Sequence, residues 1–147
     1  MDLDIDLRLI FAILNGRVSD AINRKLQENF LSAGIDLTPS QWTVMLYLAE
    51  CGGVSQQTLC TATCKDKPAM TRNLAVLERQ GFIHRHRRDD DQRTNEVYLT
   101  TEGKLMKQRA QIVAEKTMRQ ALRGLELDQI TVSQEVLRRV FSNMAGE

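Results

Sequence analysis

Leu7, Ile10, Phe11, Leu14, Val18, Ile22, Leu26 and Phe30 recur at steps of three and four residues, which marks one face of a long amphipathic helix. Gly34 is placed to end it. The sequence TPSQ at 38–41 then offers an N-cap hydroxyl, a proline at the first helical position and a glutamine three residues after the cap. That is the pattern of a capping box, so a second helix is predicted from about Pro39 toward Cys51. Gly52 and Gly53 stop it, and Ser55 can cap a short third helix, roughly Gln56 to Thr61. A turn around Cys64 and Lys65 separates this helix from the next, and two short helices in succession suggest a helix-turn-helix.

The fourth helix lies in KDKPAMTRNLAVLERQG, where Met70, Leu74 and Leu77 share one stripe and Gly81 is the expected C-cap. Either Asp66 or Lys67 can be its N-cap. Phe82 and Ile83 begin an extended run, Val97, Tyr98 and Leu99 form another, and Thr100 and Thr101 can cap a further helix. Between the two runs the chain is densely charged: RHRRDDDQRTNEVYLTTEG, Arg85 to Gly103. Two strands joined by such a loop make a hairpin, and a hairpin after a helix-turn-helix is a wing. Beyond it, Leu105, Ile112, Val113 and Leu122 line one helix, and Ile130, Val136, Leu137, Val140 and Phe141 line another. The predicted fold is mainly α with a small β-hairpin wing: a winged helix-turn-helix plus N- and C-terminal dimerisation helices. Its segments are 1–36, 37–100 and 101–147.

At 147 residues the chain is long enough to bury one core without staples. Cys51, Cys60 and Cys64 form an odd set, and no cationic, apolar leader opens the chain, so reduced thiols and a cytoplasmic location are expected. No apolar run approaches the roughly 20 residues needed to span a bilayer, and no membrane partner is expected. The net charge of +1 says nothing about nucleic acid, but its distribution does. Lys65, Lys67, Arg72, Arg79, Arg85, Arg87, Arg88 and Arg93 fall in one contiguous third of the chain, against Asp66, Glu78 and the run Asp89 to Asp91.

That charge gives the fourth helix its candidate chemistry. Lys67, Thr71, Arg72 and Ala75 lie opposite the apolar stripe, a set able to approach phosphates and base edges in a major groove. The plainer reading is a solvated polar face. At the wing, an arginine can enter the minor groove, where flanking phosphates deepen the negative potential. Asp91 is placed to pair with and orient Arg93 for that insertion. The alternative is a surface turn whose ion pairs are each worth about 0–1 kcal/mol.

No Gly-rich phosphate loop, metal-ligand set or nucleophile elbow appears, so neither an enzyme nor a cofactor is expected. His84 and His86 alternate on a strand and share a face, but zinc requires three or four ligands with matched spacing. Exposed strand histidines are the better reading. Cys60 and Cys64 can bring two thiols together near the turn between the third and fourth helices, yet cysteines in such a chain are usually small buried hydrophobes.

Taken in order, LTPSQWTVMLYL, DKPAMTRNLAVLERQGFIHR and DDDQRTNEVYLTTEG resemble the second helix, the recognition helix with first wing strand, and the wing of the MarR family of winged-helix transcriptional regulators. The resemblance covers nearly the whole chain. It implies a transcriptional regulator, a repressor by the family's base rate, reading double-stranded DNA as an obligate homodimer on a palindromic operator. Major-groove contacts carried across fall on Lys67, Pro68, Ala69, Thr71 and Arg72, with Asn73 a weaker candidate. Phosphate contacts fall on Ser55, Gln56 and Lys65, and minor-groove contact on Arg93. Pro68 departs from the small or hydroxyl residue usual at that point, although proline is tolerated in a first helical turn.

The resemblance also implies a small-molecule effector bound between the dimerisation helices and the winged helix, where Trp42 and Tyr47 are candidates. A lone tryptophan on an amphipathic helix is more often core. The family's peroxide sensors carry their reactive cysteine in the first helix, and this first helix has none. The dimer has independent support, because the first and last helices hold more apolar surface than a small winged helix covers. Two copies set two recognition helices one DNA turn apart, about 34–36 Å. A second reading, of another class, is a winged-helix protein-interaction module without DNA binding. The presence of Lys67, Thr71, Arg72 and Arg93 together favours DNA.

Overall fold

The computed structural model describes residues 5–63, 65–87 and 95–146, with side-chain environments from residue 13 onward. In chain order the elements are α1 (Ile5–Ser32), α2 (Pro39–Cys51), β1 (Val54–Ser55), α3 (Gln56–Thr63), α4 (Lys67–Arg79), β2 (Ile83–Arg87), β3 (Asn95–Leu99), α5 (Thr101–Ala121) and α6 (Leu127–Ala145). The chain is thus mainly helical with a small antiparallel sheet, as its periodicity predicts.

The helix boundaries follow from local chemistry. Gly34 takes φ +73°, and the Ile35 and Gly34 amides reach back to the Phe30 and Leu31 carbonyls at 2.8 and 3.0 Å. This left-handed turn satisfies the last carbonyls of α1 and drives Ile35 into the core. The same device ends α4, where Gly81 adopts φ +80° and the Phe82 amide donates to Leu77 at 2.9 Å. The cap residue itself is Gln80, one position before the glycine expected from sequence. At α2 the capping box is complete: Thr38 Oγ1 accepts from the Gln41 amide at 3.1 Å, and Gln41 Oε1 accepts from the Thr38 amide at 3.0 Å. Ser55 Oγ accepts from the Thr58 amide at 3.1 Å and so starts α3, which runs two residues past the predicted Thr61.

The predicted hairpin is present, with Ile83 opposite Leu99 and Arg87 opposite Asn95, and it gains a third strand. Val54 and Ser55 pair with Val97 and Glu96, giving the order β1-β3-β2 with β3 in the centre. Two residues are too few to show a period, so β1 left no pattern in the sequence. Gly53, beside it, admits the Tyr98 ring, since a Cβ there would stand 2.1 Å from Tyr98 Cζ.

One apolar core holds these elements together. Met45, Leu48, Leu59, Met70, Leu74 and Leu77 are all but fully buried, each contributing about 1.5–3 kcal/mol relative to exposure. Ile83, Val97 and Leu99 close it from the sheet, and Leu26, Phe30, Ala110 and Ala114 bring α1 and α5 into the same cluster. Phe30 meets Trp42 edge-on at 6.0 Å, and Asn29 donates to Thr117 Oγ1 at 2.8 Å, tying α1 to α5. The start of α5 is locked to the turn between α4 and β2 by Thr100, which donates through Oγ1 to the Gly81 carbonyl at 2.6 Å.

No residue of α6 is buried. Val136, Leu137, Val140 and Phe141 stand exposed along it, as do Ile13, Leu14 and Val18 on α1. This is the excess apolar surface that the sequence pattern anticipates on the terminal helices.

Candidate nucleic-acid interface

The fourth helix divides cleanly by face. Met70, Leu74 and Leu77 are fully buried, whereas Lys67, Pro68, Thr71 and Arg72 are exposed and Ala69 is half-buried. Burial of the first set against α2, α3 and the sheet fixes the roll of the helix, so the second set must point outward.

The choice of N-cap falls to Asp66, whose Oδ1 accepts from the Ala69 amide at 2.7 Å. Lys67 is therefore the first helical residue and Pro68 the second. This changes the electrostatics of the helix start. Pro68 has no N–H, and the Ala69 N–H is occupied by a carboxylate, so little of the usual anion-binding capacity of a helix N-terminus remains. Phosphate recognition here must rest on side chains.

The other carried-over positions spread over three elements. Lys65 is exposed between α3 and α4, while Ser55 is half-buried and its oxygen already serves the α3 cap and the Thr58 hydroxyl, 2.9 Å away. Gln56, the first residue of α3, donates through Nε2 to Thr71 Oγ1 on α4 at 2.8 Å. Asn73 is half-buried and donates to Ser40 Oγ on α2 at 2.9 Å, so its amide is engaged inside the fold. Asp91 and Arg93 lie outside the described residues, as does Cys64.

A cleft of about 290 Å³ opens between α3, the start of α4 and the sheet, lined by Ser55, Gln56, Lys67, Arg85 and Asn95 among others. Two cations, Lys67 and Arg85, border it. Arg85 is held by Glu78, with Nε 3.0 Å from Oε2, which ties the first wing strand to the recognition helix. An ion pair this accessible to water contributes at most about 1 kcal/mol, and its value here is in orientation. The pairing escaped the sequence reading because the partners belong to different elements.

The remaining candidates fall to structural roles. His84 and His86 are exposed, and His84 stacks on Tyr98 with ring centres 5.3 Å apart. Among the described residues no group of three or more His, Cys, Asp or Glu side chains could hold a metal. Cys60 is buried and Cys51 exposed. Trp42 is half-buried against Phe30, as its place in an amphipathic helix suggests. The Tyr47 hydroxyl is raised above its ordinary range by its hydrogen bond with the Cys51 side chain and then by the charge of that group. No described helix is long and apolar enough to cross a membrane.

Residues 35–94 match the model of the MarR family. The homoprotocatechuate degradative operon repressor of Escherichia coli is 34% identical over 85 residues, 58% of this chain and 57% of the repressor, so the chain spans little more than half of that relative. A probable transcriptional regulator from Pseudomonas aeruginosa superposes with a TM-score of 0.74 at 28% identity, covering 85% of this chain and 95% of that one. A cysteine-to-serine variant of MarR from E. coli, complexed with operator DNA, superposes at 0.81 over 95% of this chain and 99% of its own, at 23% identity.

Proposed function

We propose that this chain, whose residues 35–94 match the MarR family model, is a sequence-specific DNA-binding regulator of transcription, a repressor, acting as a homodimer on a palindromic operator. The observation that carries this reading is the face of α4: Lys67, Thr71 and Arg72 exposed together, on a helix whose opposite side is locked into the core. In this reading α4 enters the major groove, where Arg72 suits the O6 and N7 acceptors of guanine, Lys67 suits a phosphate or base acceptor, and Pro68 and Ala69 allow close approach. Ser55 and Lys65 contact the phosphates that set the register. Arg93, oriented by Asp91, enters the adjacent minor groove. A structural neighbour of the same fold is solved in complex with operator DNA, which supports DNA as the partner.

Residues 37–100 form the DNA-binding unit, and 1–36 with 101–147 the dimerisation unit. The exposed stripe Val136, Leu137, Val140 and Phe141 on α6, with Leu14 and Val18 on α1, supports that division, because a monomer would leave it in water. A two-fold axis through these helices sets the recognition helices about 34–36 Å apart. Release by a small ligand is part of the proposal. The groove of about 460 Å³ between α1 and α5, bordered by Lys25, Asn29, Val113 and Lys116, offers room for such a ligand, within the dimerisation helices rather than between them and the winged helix.

The test is selection from a randomised duplex pool by the purified protein. Enrichment of a two-fold symmetric sequence is expected. Absence of any enrichment would contradict the proposal and leave a protein-interaction module.

A further inference from the structure

We propose that Gln56 is a positioning residue for base readout, fixing the hydroxyl of Thr71 as a hydrogen-bond donor toward an acceptor on the operator, and so setting base preference at one position of each half-site. This rests on the DNA-binding reading above. It assigns Gln56 a role different from the phosphate contact that the family resemblance implies.

The observation is a departure from a pattern that the other described threonines beyond the first turn of a helix keep. A threonine inside a helix normally turns its hydroxyl back onto the carbonyl one turn earlier. Thr43 does so to Pro39 at 2.9 Å, Thr61 to Gln57 at 3.2 Å, Thr63 to Leu59 at 2.6 Å, Thr117 to Val113 at 2.8 Å and Thr131 to Leu127 at 2.9 Å. Thr71 sits one full turn into α4, where the Lys67 carbonyl is available for the same bond, yet it makes none. Its oxygen instead accepts from Gln56 Nε2 at 2.8 Å.

Two consequences follow from the inventory of a hydroxyl, which has one proton and two lone pairs. With one lone pair engaged by the glutamine amide and the back-bonded rotamer abandoned, the proton has no acceptor among the described residues. Thr71 is also exposed on the face that carries Lys67 and Arg72. The group presented to the groove is therefore an O–H whose natural partners are guanine N7 or O6, adenine N7 or thymine O4. Without Gln56 the hydroxyl would fall back onto the Lys67 carbonyl as its five counterparts do, and the donor would be withdrawn.

The experiment uses the full-length protein and duplexes enriched from the randomised pool by the wild type. Preferences at each base pair are compared for wild type, Gln56→Ala, Gln56→Glu, Thr71→Val and the double variant Gln56→Ala with Thr71→Val. Gln56→Glu keeps the reach of the side chain but can only accept, so Thr71 would turn its proton into the carboxylate. Roughly five- to tenfold discrimination, the scale of one net hydrogen bond, is expected to vanish at the same base pair in all four variants, and the double variant should lose no more than Thr71→Val alone. Preferences elsewhere in the site should persist, which a merely unstable protein would not show.

The inference is overturned if Gln56→Ala retains the wild-type preference, if it loses preference at a different base pair from Thr71→Val, or if Gln56→Glu preserves it. It is also overturned if Gln56→Ala weakens all duplexes equally with a salt slope reduced by about one, the mark of a phosphate contact. Failure of the wild type itself to select any sequence would instead reject the DNA-binding reading.

Discussion

Asn73 Nδ2 lies 2.9 Å from Ser40 Oγ, so the middle of the recognition helix is fastened to the first turn of α2. The residue that the family resemblance offers as a weak base contact is thereby engaged as a strut between two helices. Asn73→Ala is expected to lower stability by about 1 kcal/mol, the worth of a net hydrogen bond, and to leave base preferences unchanged. Urea unfolding of Asn73→Ala, Ser40→Ala and the double variant checks this. Strict additivity of the two single effects would show that the bond contributes nothing.

Gly103, in the first turn of α5, packs against the backbone that leads into β2. A Cβ at this position would stand 2.0 Å from the Phe82 carbonyl oxygen, a backbone atom that cannot swing aside. Gly103→Ala should therefore cost about 3 kcal/mol, at the upper end of the usual overpacking range. Thermal unfolding provides the measurement, and a midpoint equal to that of the wild type would contradict the packing.

How much of this was legible in the sequence varies with the range of the interaction. The capping box at Thr38 and Gln41, the breaks at Gly34 and Gly81 and the stripe of Met70, Leu74 and Leu77 are local, and each left its mark within a few residues of chain. Strand β1 left none, because its two residues owe their conformation to the central strand and to the space that Gly53 opens for Tyr98. The choice of Asp66 over Lys67 as N-cap was legible in side-chain chemistry, since only the aspartate has an oxygen to accept from the Ala69 amide. The pairs Gln56 with Thr71 and Arg85 with Glu78 join separate elements, so neither partner's type or spacing announces the other.

Asp66 caps α4 and sets a negative charge beside Lys65 and Lys67, which are proposed to face the DNA. Asp66→Asn keeps the oxygen that accepts from Ala69 and removes the charge. It should fold with stability within about 0.5 kcal/mol of the wild type, since asparagine caps as well as aspartate. It should also bind duplex DNA more tightly, with the gain shrinking as salt rises. Unchanged affinity across salt concentrations would show that α4 begins away from the phosphates.

The apolar stripe on α6 predicts the state of assembly. Val140→Glu with Phe141→Glu places two carboxylates on the face assigned to the partner helix, where association would strip them of water. Sedimentation velocity should show a dimer for the wild type and a monomer for the variant, with operator affinity falling by two orders of magnitude or more as the half-sites are bound separately. A dimer that survives the substitution would move the interface elsewhere.

The most direct test of the central claim is fluorescence anisotropy of labelled duplexes enriched from the randomised pool, titrated across a salt series with wild type and Arg93→Ala side by side. Phosphate-driven binding through the recognition helix and wing predicts a steep linear fall of log affinity with log salt, shallower by about one unit in the variant. Failure of both proteins to bind even at low salt, or identical affinities and slopes for the two, would contradict it.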